Sequence, residues 1–245
     1  MQALPVVNMR NLYVREVYKN LYSIVTENFL DDPGEGNSCI VITGTSGIGK
    51  SVFLIYFAIR LLAESDGNNP PIIIFHTKEN SKCYVFGGTS TIRFGRIDDF
   101  KAFLDRHETW YLVDSSPQPV LSRARTIISV SLKTLNSESN QYKDVFKRSL
   151  WTYYMAPWEL NELERCRNGV NFFGIMSQNF MENLYNKIGG VPRYVLQFPM
   201  NALSKDPNDL VKAEKCAYAH VKMAIDHVKD VSKLLQFLAE ARESL

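Results

Sequence analysis

The chain has 245 residues, with 28 Lys and Arg against 26 Asp and Glu and a net charge of +2. That length holds one large domain, or a core with a small subdomain, and so balanced a charge gives no case for a nucleic-acid or anionic-membrane surface. No apolar run approaches the roughly 18 residues of a bilayer span, and the start of the chain, with Pro5, Asn8, Arg10 and Asn11, lacks the basic opening and long apolar region of a secretory leader.

Residues 11–29 carry Leu12, Val17, Leu21, Ile24, Val25 and Phe29 at helical spacing. Asp31-Asp32-Pro33-Gly34-Glu35-Gly36-Asn37 breaks that helix. Cys39-Ile40-Val41-Ile42-Thr43 then reads as a buried strand and residues 52–62 as a helix. Between them stands Gly44-Thr45-Ser46-Gly47-Ile48-Gly49-Lys50-Ser51. Strand, glycine-rich loop, Lys-Ser and helix is the phosphate-binding P-loop, or Walker A pattern. Its glycines accept backbone angles that other residues resist and remove the Cβ atoms that would block a phosphate. The backbone N–H groups so exposed form an anion nest, and the helix N-terminus adds partial positive charge. Lys50 is expected to reach the β- and γ-phosphates and the Ser51 hydroxyl to ligate Mg²⁺. Gly44, Thr45, Ser46, Gly47, Ile48, Gly49, Lys50, Ser51 and Val52 make up the expected nucleotide cradle.

Residues 66–71 read as a loop, and Ile72-Ile73-Ile74-Phe75-His76 as a parallel strand covered on both faces. Residues 82–95, around Gly87-Gly88, predict a hairpin insertion. Residues 98–107 predict a helix with Asp98 as its cap. Thr109-Trp110-Tyr111-Leu112-Val113-Asp114 is an apolar strand ending in an acid. Downstream of a P-loop it resembles the Walker B element, whose carboxylate supports Mg²⁺ at the strand edge where open α/β sheets bind ligands. Thr126-Ile127-Ile128-Ser129-Val130-Ser131 predicts a further strand. Ser131 at its end is either a γ-phosphate-sensing group or an ordinary serine in a strand-to-loop turn.

Residues 132–141 are polar, residues 151–155 are β-rich, and residues 158–165 and 177–187 predict helices, the second stopped by Gly189-Gly190. From Asp209 the chain reads as helical almost to its end, with Leu210, Ala213, Ala217, Val221, Ala224, Val228, Leu235 and Leu238 on one face. In Gly189-Gly190-Val191-Pro192-Arg193 the proline suits a first helical turn. A cation there is unfavourable to the helix dipole, so Arg193 is expected either to meet a phosphate or to pack along the surface. Cys39, Cys83, Cys166 and Cys216 are far apart and predict reduced thiols, not a zinc site. His220 and His227, without a third ligand nearby, are expected to be structural. Alternating strands and helices followed by helices alone predict an α/β fold. The expected architecture is a P-loop NTPase with a parallel sheet core flanked by helices in residues 1–165, and a helical lid in residues 166–245.

Val14-Arg15-Glu16-Val17-Tyr18, the P-loop, Tyr111-Leu112-Val113-Asp114, residues 151–155 with Pro157-Trp158 and Glu162-Leu163, and Gly189 to Arg193 together resemble the NTPase module of Crinkler effectors and retrotransposon hot spot proteins. The resemblance runs over about residues 10 to 200 and implies an AAA-like P-loop ATPase of effector type. Such effectors act inside a host cell, in the nucleus or cytoplasm, so host proteins or nucleic acid are implied partners, and a homo-oligomer is expected. Longer members carry an N-terminal header and a C-terminal nuclease or kinase-like domain. This length has room for neither, so a compact or trimmed member is expected.

The sequence departs from the family pattern at Ser131-Leu132, where Ser-Pro is usual, and at Ser115-Ser116, where a glutamate usually follows the Walker B acid to orient the attacking water. The expected activity is Mg²⁺-dependent hydrolysis of ATP, with Lys50, Asp114 and Arg193 as catalytic residues and Ser51 and Asp114 at the metal. Adenine is favoured because the only Asn-Lys candidate for a guanine reader, Asn186-Lys187, is followed by Ile188-Gly189. Arg123 or Arg125 could serve a neighbouring subunit, and Glu79 could supply the absent carboxylate. The alternative is a nucleotide-gated interaction module that does not hydrolyse. A third reading, action on nucleic acid, rests on the resemblance alone.

Overall fold

Short runs of β-branched and aromatic residues set the frame. The strands are β1 Cys39–Thr43, β2 Ile73–Thr77, β3 Lys82–Phe86, β4 Arg93–Arg96, β5 Trp110–Asp114, β6 Arg125–Ser129 and β7 Ser149–Tyr154. The computed structural model describes residues 11–30, 39–77, 82–87, 93–114, 119–132, 147 and 149–226. The chain divides into two compact units, Met1–Pro157 and Trp158–Leu245.

In the first unit the strands form one sheet in the order β4-β3-β2-β5-β6-β1-β7. The five strands from β2 to β7 in that order run parallel. β1, β2 and β5 are buried along their whole length, as parallel strands covered on both faces must be. β3 and β4 add an antiparallel hairpin beyond β2, the insertion expected over residues 82–95. β6 lies between β1 and β5.

Successive side chains point to opposite faces of the sheet. One face is covered by α1 Glu16–Leu30 and α2 Lys50–Glu64. α2 turns Phe53, Leu54, Phe57 and Ala58 inward, an apolar stripe at helical spacing. The Trp110 ring packs against Phe57 at 5.1 Å and against Phe29 of α1 at 5.3 Å. Tyr18 and Tyr22 of α1 stack along α2 on Phe53, Tyr56 and Phe57. Truncating a buried ring of this kind costs about 3–5 kcal/mol.

On the other face Val41, Ile74, Tyr111, Val113, Ile128 and Val130 pack against Phe100 and Leu104. The helix expected over residues 98–107 is shorter than its pattern. A 3-10 turn at Ile97–Phe100 runs into α3 Lys101–Leu104. The Leu104 carbonyl then accepts from the Arg123 and Ala124 amides at 3.1 and 3.0 Å, so this tertiary pairing takes the place of a further helical turn. The N-cap is Arg96, not Asp98, and Asp99 closes a capping box: its carboxylate accepts from the Arg96 amide at 2.8 Å.

The second unit is helical in its described residues. α4 Leu160–Gly169, α5 Gln178–Ile188, α6 Phe198–Leu203 and α7 Leu210–Asp226 follow in order. Ser177 caps α5 by accepting from the Phe180 amide at 3.3 Å. Arg193–Gln197 is a π-helical turn leading into α6. The expected division at 165/166 falls inside α4.

Candidate nucleotide site

The P-loop leaves the buried C-terminal end of β1 and enters α2. Gly44, Gly47 and Gly49 all have positive φ, 140°, 90° and 105°. At Gly44 a Cβ would stand 2.7 Å from the Met155 carbonyl oxygen, so both the turn and the neighbouring chain require glycine. Thr45 and Ser46 are exposed at the loop tip, while Ile48 is wholly buried and anchors the loop to the core. Val52 is half-buried in the first turn of α2.

Lys50 is only 7% exposed. Its Nζ donates to the carbonyls of Gly44 and Thr45, at 2.9 Å each, which closes the loop into a ring around an ammonium. Asp114, the last residue of β5, is also 7% exposed. Ser51 Oγ donates to Asp114 Oδ1 at 2.7 Å. The two residues expected at the metal, which lie 63 positions apart in sequence, are therefore in direct contact. A hydroxyl and a carboxylate are hard oxygen donors, the set that suits Mg²⁺, which takes one or two protein ligands and completes its shell with water and phosphate. Among the described residues no group of three or more His, Cys, Asp or Glu could hold a metal ion.

The register identifies hydroxyls that the sequence reading passed over. Asp114 is paired on one side with Thr77 of β2 and on the other with Ser129 of β6. All three side chains point to the α2 face at the C-terminal edge of the sheet, and all are buried. Ser131, expected as either a γ-phosphate sensor or a serine in a strand-to-loop turn, lies beyond the end of β6 and is half-buried, while Ser129 stands beside Asp114. Ser129 could have been chosen only with the strand order known. Arg123 and Arg125 lie at the N-terminal end of β6, the sheet edge away from the P-loop, and the Arg125 guanidinium sits 5.3 Å over the Trp110 ring. Arg193 is exposed at the head of the π-helical turn in the second unit. Ser115, Ser116, Glu79 and His227 lie outside the described residues, as does the side chain of His220.

Burial pushes the thiols of Cys39, Cys83 and Cys166 up to about 12, so at neutral pH they are protonated and unreactive.

A parallel sheet with β6 set between the P-loop strand and the acid-bearing strand, flanked by helices, is a P-loop NTPase fold of the AAA-like kind. It is similar to the solved structure of the ORC2 protein of Aeropyrum pernix in its ADPNP-ADP complexes, with a TM-score of 0.50 and 12% identity over 88% of this chain and 68% of that one. The ADP form of the same protein gives a TM-score of 0.50 and 14% identity, over 85% and 69%.

In sequence the chain is similar to Crinkler effector protein 15 and Crinkler effector protein 16 of Phytophthora infestans, each 29% identical over 199 residues. The Crinkler resemblance read from the motifs is thus borne out. The match takes in 79% of this chain and 30% of each relative, so it spans less than a third of their length. No family model matches the chain. No helix among the described residues is long and apolar enough to cross a membrane.

Proposed function

We propose that this chain is the Mg²⁺-dependent nucleoside triphosphatase module of a Crinkler-type effector, with ATP as its substrate. The observation that carries the reading is the 2.7 Å hydrogen bond between Ser51 of the P-loop and Asp114 at the strand end, beside a buried lysine whose ammonium donates to two loop carbonyls. Ser51 and Asp114 would hold Mg²⁺, which when bound neutralises charge on the β- and γ-phosphate oxygens. Lys50 would turn from the loop carbonyls to the same oxygens, a charge-assisted contact that strengthens as charge moves toward the leaving group. Ser129, next to Asp114 in the sheet, is the better-placed hydroxyl for orienting water or the γ-phosphate, ahead of Ser131. Water then displaces ADP in line from the γ-phosphorus, leaving ADP and inorganic phosphate. Arg193 is assigned to the γ-phosphate as a cation from the lid. Its π-helical turn supports this, since such turns are frequent at functional sites.

A second reading is favoured by one observation, the sequence Asp114-Ser115-Ser116, which has no glutamate after the acid. A water-orienting group typically contributes about 10²–10⁴-fold. Without one, the site would bind nucleotide tightly and use it to set an assembly state, with a homo-oligomer and host proteins or nucleic acid as partners. Turnover of ATP and GTP by nucleotide-stripped protein, with and without Mg²⁺, tests both. The triphosphatase reading expects Mg²⁺-dependent release of phosphate from ATP, slower than the roughly 1–10³ s⁻¹ common for enzymes. Tight ATP binding with no release would leave the gated module; no binding at all would overturn both.

A further inference from the structure

We propose that Tyr18 is a positioning residue of the phosphate-binding loop, acting through the Gly49–Lys50 peptide; this rests on the nucleotide reading given above. Tyr18 lies in the first turns of α1, 31 positions before Gly49, and is wholly buried. Its hydroxyl donates to the Gly49 carbonyl at 2.9 Å. The same carbonyl accepts the Phe53 amide at 2.9 Å, the first helical bond of α2. A carbonyl oxygen has two lone pairs, and these two donors occupy both.

The consequence follows from peptide geometry. The Gly49 C=O and the Lys50 N–H belong to one planar trans unit and point in opposite directions. Holding the oxygen against α1 and α2 therefore aims the Lys50 N–H the other way. That amide belongs to the first turn of α2, whose N–H groups have no acceptor within the helix and form the anion-binding end. Gly49 accommodates the arrangement twice over. Its φ of 105° is open to glycine, and a Cβ there would collide with the Tyr18 hydroxyl.

The tyrosine is itself held rigidly. Its ring packs on Phe53 at 5.8 Å and on Tyr56 at 6.0 Å. The guanidinium of Arg15, 2% exposed, lies 5.8 Å over the ring. That guanidinium donates to the carbonyls of Ala156 and Pro157, at 3.4 and 3.5 Å, just past β7. The loop's orientation is thus fixed from a helix that precedes it in sequence.

One turn further along α1, Tyr22 provides an internal control. It packs on Tyr56 and Phe57 in the same way and donates its hydroxyl to Glu64 at 2.8 Å, at the other end of α2 from the loop. Tyr18→Phe and Tyr22→Phe each remove one hydroxyl and keep the ring. Calorimetry with ADP and with pyrophosphate, alongside the melting temperatures and a Lys50→Ala reference, separates a positioning role from a packing role. Pyrophosphate has no base or sugar, so it reports the phosphate cradle alone. Tyr18→Phe is expected to weaken both ligands by the same factor, between about threefold and tenfold, the range of one hydrogen bond. Tyr22→Phe is expected to keep the parental constants at a similar melting temperature. Parental affinity in Tyr18→Phe, beside a parent that binds and a Lys50→Ala variant that does not, overturns the Tyr18 role alone. An equal loss in Tyr22→Phe overturns it in favour of general packing between the two helices. A parent that binds neither ligand overturns the nucleotide reading and the Tyr18 role with it.

Discussion

The two faces of the sheet bury polar groups in contrasting ways. On the α2 face, Thr77, Asp114 and Ser129 form a row of oxygens at the strand ends, and Asp114 meets Ser51 of the P-loop. On the opposite face, His76 and Tyr111 are just as buried, with His76 Nδ1 and the Tyr111 hydroxyl 2.8 Å apart and their rings stacked. The Tyr111 oxygen also accepts from the Val120 amide at 3.4 Å, which ties the chain returning toward β6 to the core. The first group includes an acid beside a lysine-bearing loop. The second is a neutral pair: burial lowers the His76 pKa and keeps the imidazole uncharged. Burial of polar atoms therefore does not by itself mark a site here. What marks it is charge and oxygen donors gathered at the C-terminal edge, where the P-loop crosses the sheet.

Breaking the charged face should have the largest effects. Lys50→Ala removes the ammonium that the loop encircles, and calorimetry with ATP is expected to show an affinity loss on the order of 10²-fold, about 3 kcal/mol. Unchanged affinity would dismiss the P-loop as the nucleotide site. Asp114→Asn keeps the shape and one oxygen but removes the charge. It should retain most nucleotide affinity while lowering Mg²⁺-dependent turnover by about 10–100-fold. Turnover at the parental rate would mean that another acid supports the metal, and Glu79→Gln would be the next variant to assay.

Arg193→Ala tests whether the second unit contributes to this face. If Arg193 meets the γ-phosphate, the ratio of ATP to ADP affinity should fall about tenfold while ADP binding stays put. Equal ratios in parent and variant would return Arg193 to surface packing.

The smallest effect belongs to the neutral face and is read as stability. The unfolded chain takes up a proton on His76 as pH falls through about 6.5, whereas the folded chain resists it because the ring is buried. The unfolded state then binds more protons, so the His76 contribution is present above that pH and declines as pH falls toward the lowered folded value. His76→Gln keeps an acceptor for Tyr111 and removes the titration. Denaturant midpoints of parent and variant should converge on acidification from pH 7 to 5. A constant gap over that range would place the acid sensitivity elsewhere.

The strongly patterned parts of this architecture were legible in advance. The apolar runs that became β1, β2, β5 and β6 are continuous because both faces are covered, and the loop's glycines, lysine and serine have a spacing with one chemical meaning. The helix after residue 97 is shorter than its pattern: Asp105, Arg106 and His107 include no helix-breaking residue, but a tertiary pairing takes the Leu104 carbonyl. Position in the chain points only to Ser131, at the end of its strand, as either a γ-phosphate sensor or a turn serine. Only the strand order shows that Ser129 is the neighbour of Asp114.

Sequence by itself determined the local pattern: which loop has the glycine, lysine and serine spacing of a phosphate cradle, which strand ends in an acid, and which segments bury an apolar stripe. These depend on residue type and short-range spacing, and a chain carries both before it folds. Tertiary structure alone decided which distant groups meet. It placed β6 between β1 and β5, brought Asp114 to Ser51, and set the Tyr18 hydroxyl on Gly49. Those contacts join positions 63 and 31 residues apart. They follow from sheet order and helix packing, which arise from the whole core closing at once and from no local pattern.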